Sequence, residues 1–401
     1  MTAAVIKDPD AALRHLYEAF PYPRSMDDLS DFREGRRQPT WNPKTSFPVF
    51  FPHAKPRGDL DILVAGCGTN LAPVFAATMP EARVVGIDIS GASIALSKKL
   101  AAQSGLANIE HHELSIEEVG TLGRSFDFVC ATGVIHHLAD PAAGLRALAG
   151  VLADDGAMMV MVYAKYGRQG IYMLQELCRM LGMSVNELDA AKAQRLLALL
   201  PAQHPFRRIY GAEIKNISLE EVMDMVLNPR DVAYRVPDIR QLVDDAGLGF
   251  HRWLGNAEYR PELSSLTGAG LEGAFERLSS WDRAAAAELT FGNLIKHSFV
   301  LTHPARPTAE ALFDGPGIAD AVPTLSAHLH IDHKGPNLVA TNAAHQVRIE
   351  MVAPVLDFGR LLKAADGTRT VGEIVGDVGE PGLDLYRRLY HADAIQLSTW
   401  R

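Results

Sequence analysis

The chain has 401 residues, enough for two or three domains. A hydrophobic content of 47%, a charged content of 22% and a formal net charge of −9 are typical of a globular protein, and the missing basic excess argues against a nucleic-acid partner. The cysteines Cys67, Cys130 and Cys178 form no CxxC pair, which excludes a zinc ribbon and suits a reducing cytosol. No stretch reaches the length of a membrane span and the first residues lack a signal-peptide core, so we expect a cytoplasmic protein without a membrane partner.

Residues 1–58 predict an ordered arm. Apolar side chains at helical spacing predict a helix over 9–20, and the prolines of the following FPYPRS end it. The rest of the arm is too aromatic for a disordered tail. Two interpretations stay open: the arm only covers apolar surface, or it is a lid over a cofactor or substrate, with Tyr17 and Tyr22 as contacts.

Residues 59–303 predict an α/β domain with a doubly wound, Rossmann-like sheet of seven strands. Helical patterns over 165–235 interrupt it as an insertion, either as packing or as part of a substrate pocket. We expect the final strand to be antiparallel at the sheet edge. The predicted strands are 60–65, 83–88, 108–113, 127–132, 157–163, 250–254 and 296–302, and the predicted helices are 71–79, 91–103, 141–153, 171–182, 186–200, 218–227, 237–246 and 271–287.

A proline-containing linker at 303–307 precedes a change in composition. Residues 308–401 do not continue the alternation of strand and helix, and predict a small α+β, winged-helix-like accessory domain. Its predicted elements are strands near 325–331 and 346–352, helices near 357–364, 370–376 and 382–391, and a closing strand at AIQLS.

The stretch LDILVAGCGTN, residues 60–70, joins a predicted strand to a helix through a Gly-Cys-Gly turn. Such a turn presents backbone N–H groups to the polar end of a ligand. Asp88 ends the next predicted strand, where a carboxylate can accept hydrogen bonds from both hydroxyls of a ribose. The combination predicts a nucleoside-containing cofactor.

Three cofactors offer such a ribose: NAD, FAD and S-adenosylmethionine. The two dinucleotides carry a pyrophosphate, which favours a third glycine on the helix side of the turn. Leu71 occupies that position here. The turn therefore favours a sulfonium–amino acid ligand over a dinucleotide.

The ordered motifs ILVAGCGTN, VVGIDIS, SFDFVCATGVIHHLADP and LADDGAMMVMVYA resemble those of class I S-adenosylmethionine-dependent methyltransferases, over residues 59–164 and again over 236–303. The resemblance implies that the glycine turn contacts the methionine moiety, that the acid after the second strand holds the ribose, and that later strand ends flank the adenine and the transferred methyl group. The cofactor-binding residues implied in this way are Gly66, Cys67, Gly68, Asn70, Asp88, Ile89, Ser115, Ile116, Ala131, Thr132 and Gly133.

Two positions depart from the family pattern. Val64 stands where an acid is frequent, and Asn70 stands where a glycine is usual. Recognition of the methionine amino group is then expected to use backbone carbonyls or the arm. The arm motif YEAFPYPRS also resembles a bacterial subgroup with an N-terminal segment and a C-terminal extension, some of whose relatives modify proteins.

Methyl transfer needs alignment of the acceptor more than it needs side-chain chemistry, and a base only where the acceptor must lose a proton. His136 and His137 follow the fourth strand, where such a base is useful, although a histidine there can also merely bind backbone. Tyr163 is a further candidate catalytic residue, and Tyr166 joins Tyr17 and Tyr22 as a candidate substrate contact.

The string His328-Leu329-His330-Ile331-Asp332-His333 matches the metal-binding string of metallo-β-lactamase-like hydrolases. Only 68 residues follow it, too few for the scaffold of that fold. We therefore predict no metal site and interpret the string as a histidine-rich surface strand.

These observations predict a methyltransferase that uses S-adenosylmethionine and releases S-adenosylhomocysteine. The acceptor is left open between a protein or peptide side chain and a small molecule, and oligomerisation is left open as well. Two alternatives remain at this stage: a non-catalytic regulatory protein that binds the same cofactor, and an NAD-dependent oxidoreductase.

Overall fold

The computed structural model describes residues 9–39, 41–211, 216–261, 270–327, 329–334, 337–342, 347–351 and 358–400. A seven-stranded sheet lies at its centre, with the order β3-β2-β1-β4-β5-β7-β6. The predicted Rossmann-like fold is confirmed. The strands are β1 Asp61–Ala65, β2 Arg83–Asp88, β3 Ile109–Glu113, β4 Phe126–Thr132, β5 Leu152–Tyr163, β6 Gly249–Leu254 and β7 Lys296–Thr302.

The expected place of the final strand is wrong. Strand β7 is antiparallel, but it lies between β5 and β6 and pairs with both, so β6 forms the edge. The side chains of Phe299, Val300 and Leu301 are fully buried, which requires covered faces on both sides of the strand. An apolar run without alternation is typical of such an inner strand.

Helices cover both faces of the sheet. Along β1, Leu63 belongs to the apolar cluster on one face, and Ile62 and Val64 belong to the cluster on the other. Side chains alternate across a strand, so a fully apolar strand packs on both faces. The helices up to the end of the sheet are α1 Pro9–Ala19, α2 Ser30–Arg33, α3 Pro43–Phe50, α4 Leu71–Thr78, α5 Gly91–Gln103, α6 Pro141–Ala149, α7 Gln169–Met180, α8 Glu187–Leu199, α9 Pro205–Tyr210, α10 Leu219–Val226, α11 Val236–Ala246, α12 Glu272–Glu276 and α13 Ser280–Phe291.

The single helix predicted over 271–287 is two helices, α12 and α13. Ser279 separates them, because its hydroxyl accepts a hydrogen bond from the backbone N–H of Asp282 and so caps the start of α13. The insertion helices α7 to α10 form an apolar cluster of their own, and Leu16 of the arm helix α1 belongs to it. The arm and the insertion therefore pack together above the sheet.

The segment after β7 has a separate apolar cluster drawn from residues 309–397. Its two-stranded sheet pairs the first strand with the last, and a three-stranded antiparallel sheet lies between them in sequence. The middle strand β10 was not predicted. The elements are α14 Ala309–Phe313, β8 Val322–Leu325, β9 Leu329–Lys334, β10 Asn337–Asn342, β11 Val347–Met351, α15 Phe358–Lys363, α16 Val371–Val375, α17 Glu380–His391 and β12 Ile395–Ser398.

A buried ion pair joins this C-terminal segment to the edge of the main sheet. The Arg252 guanidinium on β6 donates to the Asp393 carboxylate at 2.6 Å, and both side chains are about 5–6% exposed. The second carboxylate oxygen accepts the backbone N–H of Asn256 at 2.6 Å. Within the part of the chain that the structure describes, no helix combines the length and apolar character needed to cross a membrane.

Asp393→Ala is expected to lower the free energy of unfolding by about 3–5 kcal/mol, since it leaves the Arg252 guanidinium buried without its counter-charge. Urea unfolding of the full chain measures this. Asp384→Ala, at an exposed position on α17, is the control and should leave the midpoint nearly unchanged. Equal midpoints for the two variants would show that the ion pair does not hold the C-terminal segment.

Candidate active site

A cavity of about 490 Å³ lies beyond the carboxyl ends of β1, β2 and β4. Parallel sheets of this kind bind ligands at that edge. Ser115 and Ala131 do not belong to the wall that the described residues form. The predicted cofactor-binding residues that do line the cavity are Gly66, Cys67, Gly68, Asn70, Asp88, Ile89, Ile116, Thr132 and Gly133.

The two glycines of the turn permit close backbone approach. Gly66 has a φ of +64°, and a Cβ added there would lie 2.7 Å from the Val134 side chain. Gly68 has a φ of +53°, and a Cβ added there would lie 2.6 Å from the Tyr22 carbonyl oxygen. Larger residues would distort both the turn and the arm that crosses it.

The Asp88 carboxylate faces the cavity from the end of β2. One oxygen accepts the backbone N–H of Gly68 and the other accepts that of Ser90, each at 2.9 Å. Burial raises the pKa of Asp88, and the two backbone donors oppose that shift. A carboxylate has about four acceptor positions, so each oxygen can still accept a ribose hydroxyl. The site fits the nucleoside part of S-adenosylmethionine.

The arm is fastened to the glycine turn through Asn70. Its Nδ2 donates to the Arg24 carbonyl and its Oδ1 accepts the Met26 N–H, both at 2.9 Å. Tyr17 and Tyr22 line the cavity beside the turn. The residue that replaces the usual family glycine thus holds the arm over the cavity, an arrangement that favours the lid interpretation.

Asn70→Gly is expected to speed release of S-adenosylhomocysteine about tenfold, because two hydrogen bonds of about 0.5–1.5 kcal/mol each no longer hold the arm. Stopped-flow displacement measures the rate. The variant should fold, since the Asn70 side chain does not cap α4. The Thr69 hydroxyl donates to the Pro23 carbonyl at 2.5 Å, so Thr69→Val serves as a milder comparison. An unchanged release rate in Asn70→Gly would show that the hydrogen bonds of Asn70 to Arg24 and Met26 do not hold the arm over the cavity.

The wall of the same cavity also includes a buried carboxylate. Asp224, on insertion helix α10, is 4% exposed and lines the cavity. The Tyr17 hydroxyl donates to its Oδ1 at 2.8 Å, and the Tyr163 hydroxyl lies 3.3 Å from its Oδ2. Tyr22 lines the same cavity, close enough for the Asp224 charge to raise its pKa in addition to burial. We call Tyr17, Tyr22, Tyr163 and Asp224 the tyrosine–aspartate cluster.

The phenols of this cluster stay protonated at neutral pH. Burial raises the pKa of Tyr17 and of Tyr163, and the nearby Asp224 charge adds to the rise in both. Burial likewise raises the pKa of Tyr22. Each phenol is therefore a hydrogen-bond donor in this site rather than a base.

The guanidinium of Arg168 packs against the ring of Tyr163. The Arg168 guanidinium carbon lies 3.4 Å from the centre of the Tyr163 ring. Arg168 is itself held by Asp231 at 2.9 Å, in an ion pair whose two side chains are 6% and 0% exposed. Tyr163 is thus packed between protein groups rather than free to turn.

The two predicted histidines have different surroundings. His137 lines the cavity, and its ring centre lies 6.2 Å from that of Tyr17 and 6.1 Å from that of Tyr163, nearly edge-on to both. His136 is fully buried outside the cavity wall, with its ring centre 4.0 Å from that of Tyr163. Neither ring nitrogen of His136 has a hydrogen-bond partner among the described residues, and burial lowers its pKa. This placement does not support a catalytic role for His136.

Tyr166 also lies outside the cavity wall, so its predicted contact with substrate is not supported by its position. The sequence interpretation missed Asp224 and also Arg230, whose carbonyl oxygen lies 2.6 Å from Nδ1 of His137; both are from the insertion. Asp224 had a signal, because it is a single acid inside the apolar run VMDMV, whose neighbours Met223 and Val226 are buried. The insertion is thus part of the site as well as packing.

The structure contains no group of three or more His, Cys, Asp or Glu side chains arranged to hold a metal ion in the portion it describes. The side chains of His328, His330, Asp332 and His333 fall outside that portion. The backbone from 329 to 334 is strand β9.

Residues 63–158 match the family described as "Methyltransferase domain". The chain is 29% identical over 312 residues to an uncharacterised Synechococcus protein, covering 76% of this chain and 74% of that one. It is also 29% identical over 123 residues to the ubiquinone biosynthesis O-methyltransferase of Neisseria meningitidis, which covers 30% of this chain and 51% of that enzyme.

The fold is similar to the solved structure of PKMT2 from Rickettsia typhi in complex with AdoHcy. The TM-score is 0.62 at 15% identity, over 94% of this chain and 77% of that one. At this identity the comparison establishes the fold. The similarity covers more of the chain than the 63–158 match to the methyltransferase family does.

Proposed function

We propose that this chain, a class I S-adenosylmethionine-dependent methyltransferase, transfers its methyl group to an amine on a protein or peptide side chain. The observation that carries the proposal is the tyrosine–aspartate cluster, which places one buried carboxylate in the same cavity as the glycine turn and Asp88.

The cofactor would be held along the strand ends. Asp88 would accept the ribose hydroxyls, Ile89 and Ile116 would flank the adenine, and Gly66 and Gly68 would lie against the methionine part. S-adenosylmethionine supplies a methyl group already activated on a sulfonium. The protein must then align an acceptor with that methyl group and exclude water.

The charge of Asp224 selects between kinds of acceptor. An ammonium 4 Å from a carboxylate gains about 4 kcal/mol at an effective dielectric constant of 20, and a phenolate at the same distance loses a similar amount. The Tyr17 and Tyr163 hydroxyls hold the carboxylate in place. The cluster therefore favours a cationic amine over an acidic phenol.

Amine selectivity can be tested with three peptide pools that are random at the flanking positions and carry lysine, tyrosine or norleucine at the centre. Each pool is incubated with the protein and S-adenosylmethionine labelled on the methyl group. The proposal expects label in the lysine pool alone. Label in the tyrosine pool, or none in the lysine pool, would overturn it. A separate incubation with small phenols tests the small-molecule alternative.

A further inference from the structure

We infer that His137 removes a proton from the acceptor ammonium through its Nε2 atom, and that Arg230 positions His137 for this step. The inference rests on the proposed function, because it requires an acceptor that arrives protonated. Both residues belong to segments that meet at the cavity: His137 follows β4 and Arg230 follows α10.

The hydrogen bonds of His137 determine which ring nitrogen carries the proton. Its Nδ1 lies 2.6 Å from the backbone carbonyl oxygen of Arg230. A carbonyl oxygen can only accept, so Nδ1 is the protonated nitrogen of the neutral ring. Nε2 is then left with the lone pair, on a ring that lines the cavity between Tyr17 and Tyr163.

The other groups of this part of the cavity are poorly suited to take the proton. The phenols of Tyr17, Tyr22 and Tyr163 already hold theirs because burial raises their pKa values. Asp224 accepts hydrogen bonds from two of these phenols. His136 lies outside the cavity wall. Among the described residues that line this part of the cavity, the Nε2 atom of His137 is then the acceptor left for the proton.

The proton step conserves atoms and charge. One N–H bond of the ammonium breaks and an H–Nε2 bond forms, so His137 becomes an imidazolium and the electron pair stays on the acceptor nitrogen. That lone pair is what methylation requires. Asp224 stabilises the positive charge before and after the transfer, while the proton leaves from His137 to solvent.

Arg230 contacts His137 from two directions. Its carbonyl accepts from Nδ1, and its side-chain Nε donates to the His137 carbonyl at 2.5 Å. The same guanidinium binds Asp10 of the arm helix α1. The arm helix therefore contacts the residue that orients the imidazole. The titratable or charged groups packed around His137 are Tyr17 from the arm, Tyr163 from β5, the adjacent His136, and Arg230 with Asp10.

His137→Asn is the sharpest test, because an asparagine amide can still donate to the Arg230 carbonyl but has no base at the Nε2 position. We expect kcat with lysine peptides to fall about 10²–10³-fold. The acidic limb of the pH–rate profile should disappear, and affinity for S-adenosylhomocysteine should stay within about threefold of the parent. Arg230→Ala should lower kcat by about tenfold with little change in KM, and Arg230→Lys should recover part of the loss.

A second measurement does not depend on the acceptor. Side-chain ¹⁵N NMR of the resting protein should report the tautomer of His137 with the proton on Nδ1. The opposite tautomer would overturn the inference.

The kinetic outcomes separate the inference from the proposed function. Lysine methylation by the parent together with an unchanged rate and acidic limb in His137→Asn would refute the role of His137 and leave the proposed function intact. No lysine methylation by the parent would refute both.

Discussion

Asp224→Asn is expected to reduce kcat/KM for lysine peptides about 10²–10³-fold. The substitution preserves size and one acceptor oxygen but removes the charge that attracts the ammonium, an interaction of about 4 kcal/mol at an effective dielectric constant of 20. Binding of S-adenosylhomocysteine should stay within about threefold of the parent, because Asp224 is not among the residues that are proposed to hold the cofactor. Steady-state kinetics and calorimetric titration measure the two quantities.

Glu220→Gln is the matched control for this experiment. Glu220 is on the same helix, α10, but is not part of the cavity wall that the described residues form. The control should methylate lysine peptides at the parent rate. If Asp224→Asn and Glu220→Gln have the same activity, the tyrosine–aspartate cluster does not recognise the acceptor.

Asp88→Ala is expected to weaken binding of S-adenosylhomocysteine by about 10²-fold or more. It removes the carboxylate that is proposed to accept the two ribose hydroxyls, and hydrogen bonds to a charged group contribute about 1.5–3 kcal/mol each. It also frees the backbone N–H groups of Gly68 and Ser90, so the turn loses its support. Isothermal titration measures the affinity.

Asp88→Asn retains one acceptor oxygen and should give an intermediate affinity. Glu110→Gln, an exposed change on the neighbouring strand β3, should bind normally. Normal binding by Asp88→Ala would mean that the ribose is held elsewhere.

The residues that are proposed to bind the cofactor could be selected from the sequence, because the patterns that indicate them are local. The glycine turn, Asp88 and the strand ends are each short motifs whose place in a parallel sheet follows from the order of elements. Asn70 departs from the pattern of the family that the sequence resembles, and this departure is visible in the sequence alone. The role of an asparagine at this position could not be predicted, because its side chain hydrogen-bonds to arm residues about 45 positions away in sequence.

The acceptor side depends on contacts between distant segments. Tyr17 and Asp224 are 207 positions apart, and His137 and Arg230 are 93 apart. Such pairs have no periodicity in the sequence. His136 and His137 have the same local sequence signals and are both buried. Only their positions in the fold distinguish them, because His137 lines the cavity and His136 does not.

The position of β7 also depends on contacts between distant segments rather than on its local sequence. Its apolar run predicted a strand correctly, but whether that strand lies at the edge or inside the sheet depends on which partners it pairs with. The unalternated run KHSFVLT favours an inner position, and pairing with both β5 and β6 shows that position.

We propose that the tyrosine–aspartate cluster directs methylation to a side-chain amine. Tandem mass spectrometry of lysine peptides incubated with the protein and S-adenosylmethionine tests it most directly, because the fragments show which atom has gained mass. We expect one or more added methyl groups on the lysine side-chain nitrogen with the parent protein and none with Asp224→Asn. Methyl groups on an oxygen, or lysine methylation that persists at the parent rate in Asp224→Asn, would contradict it.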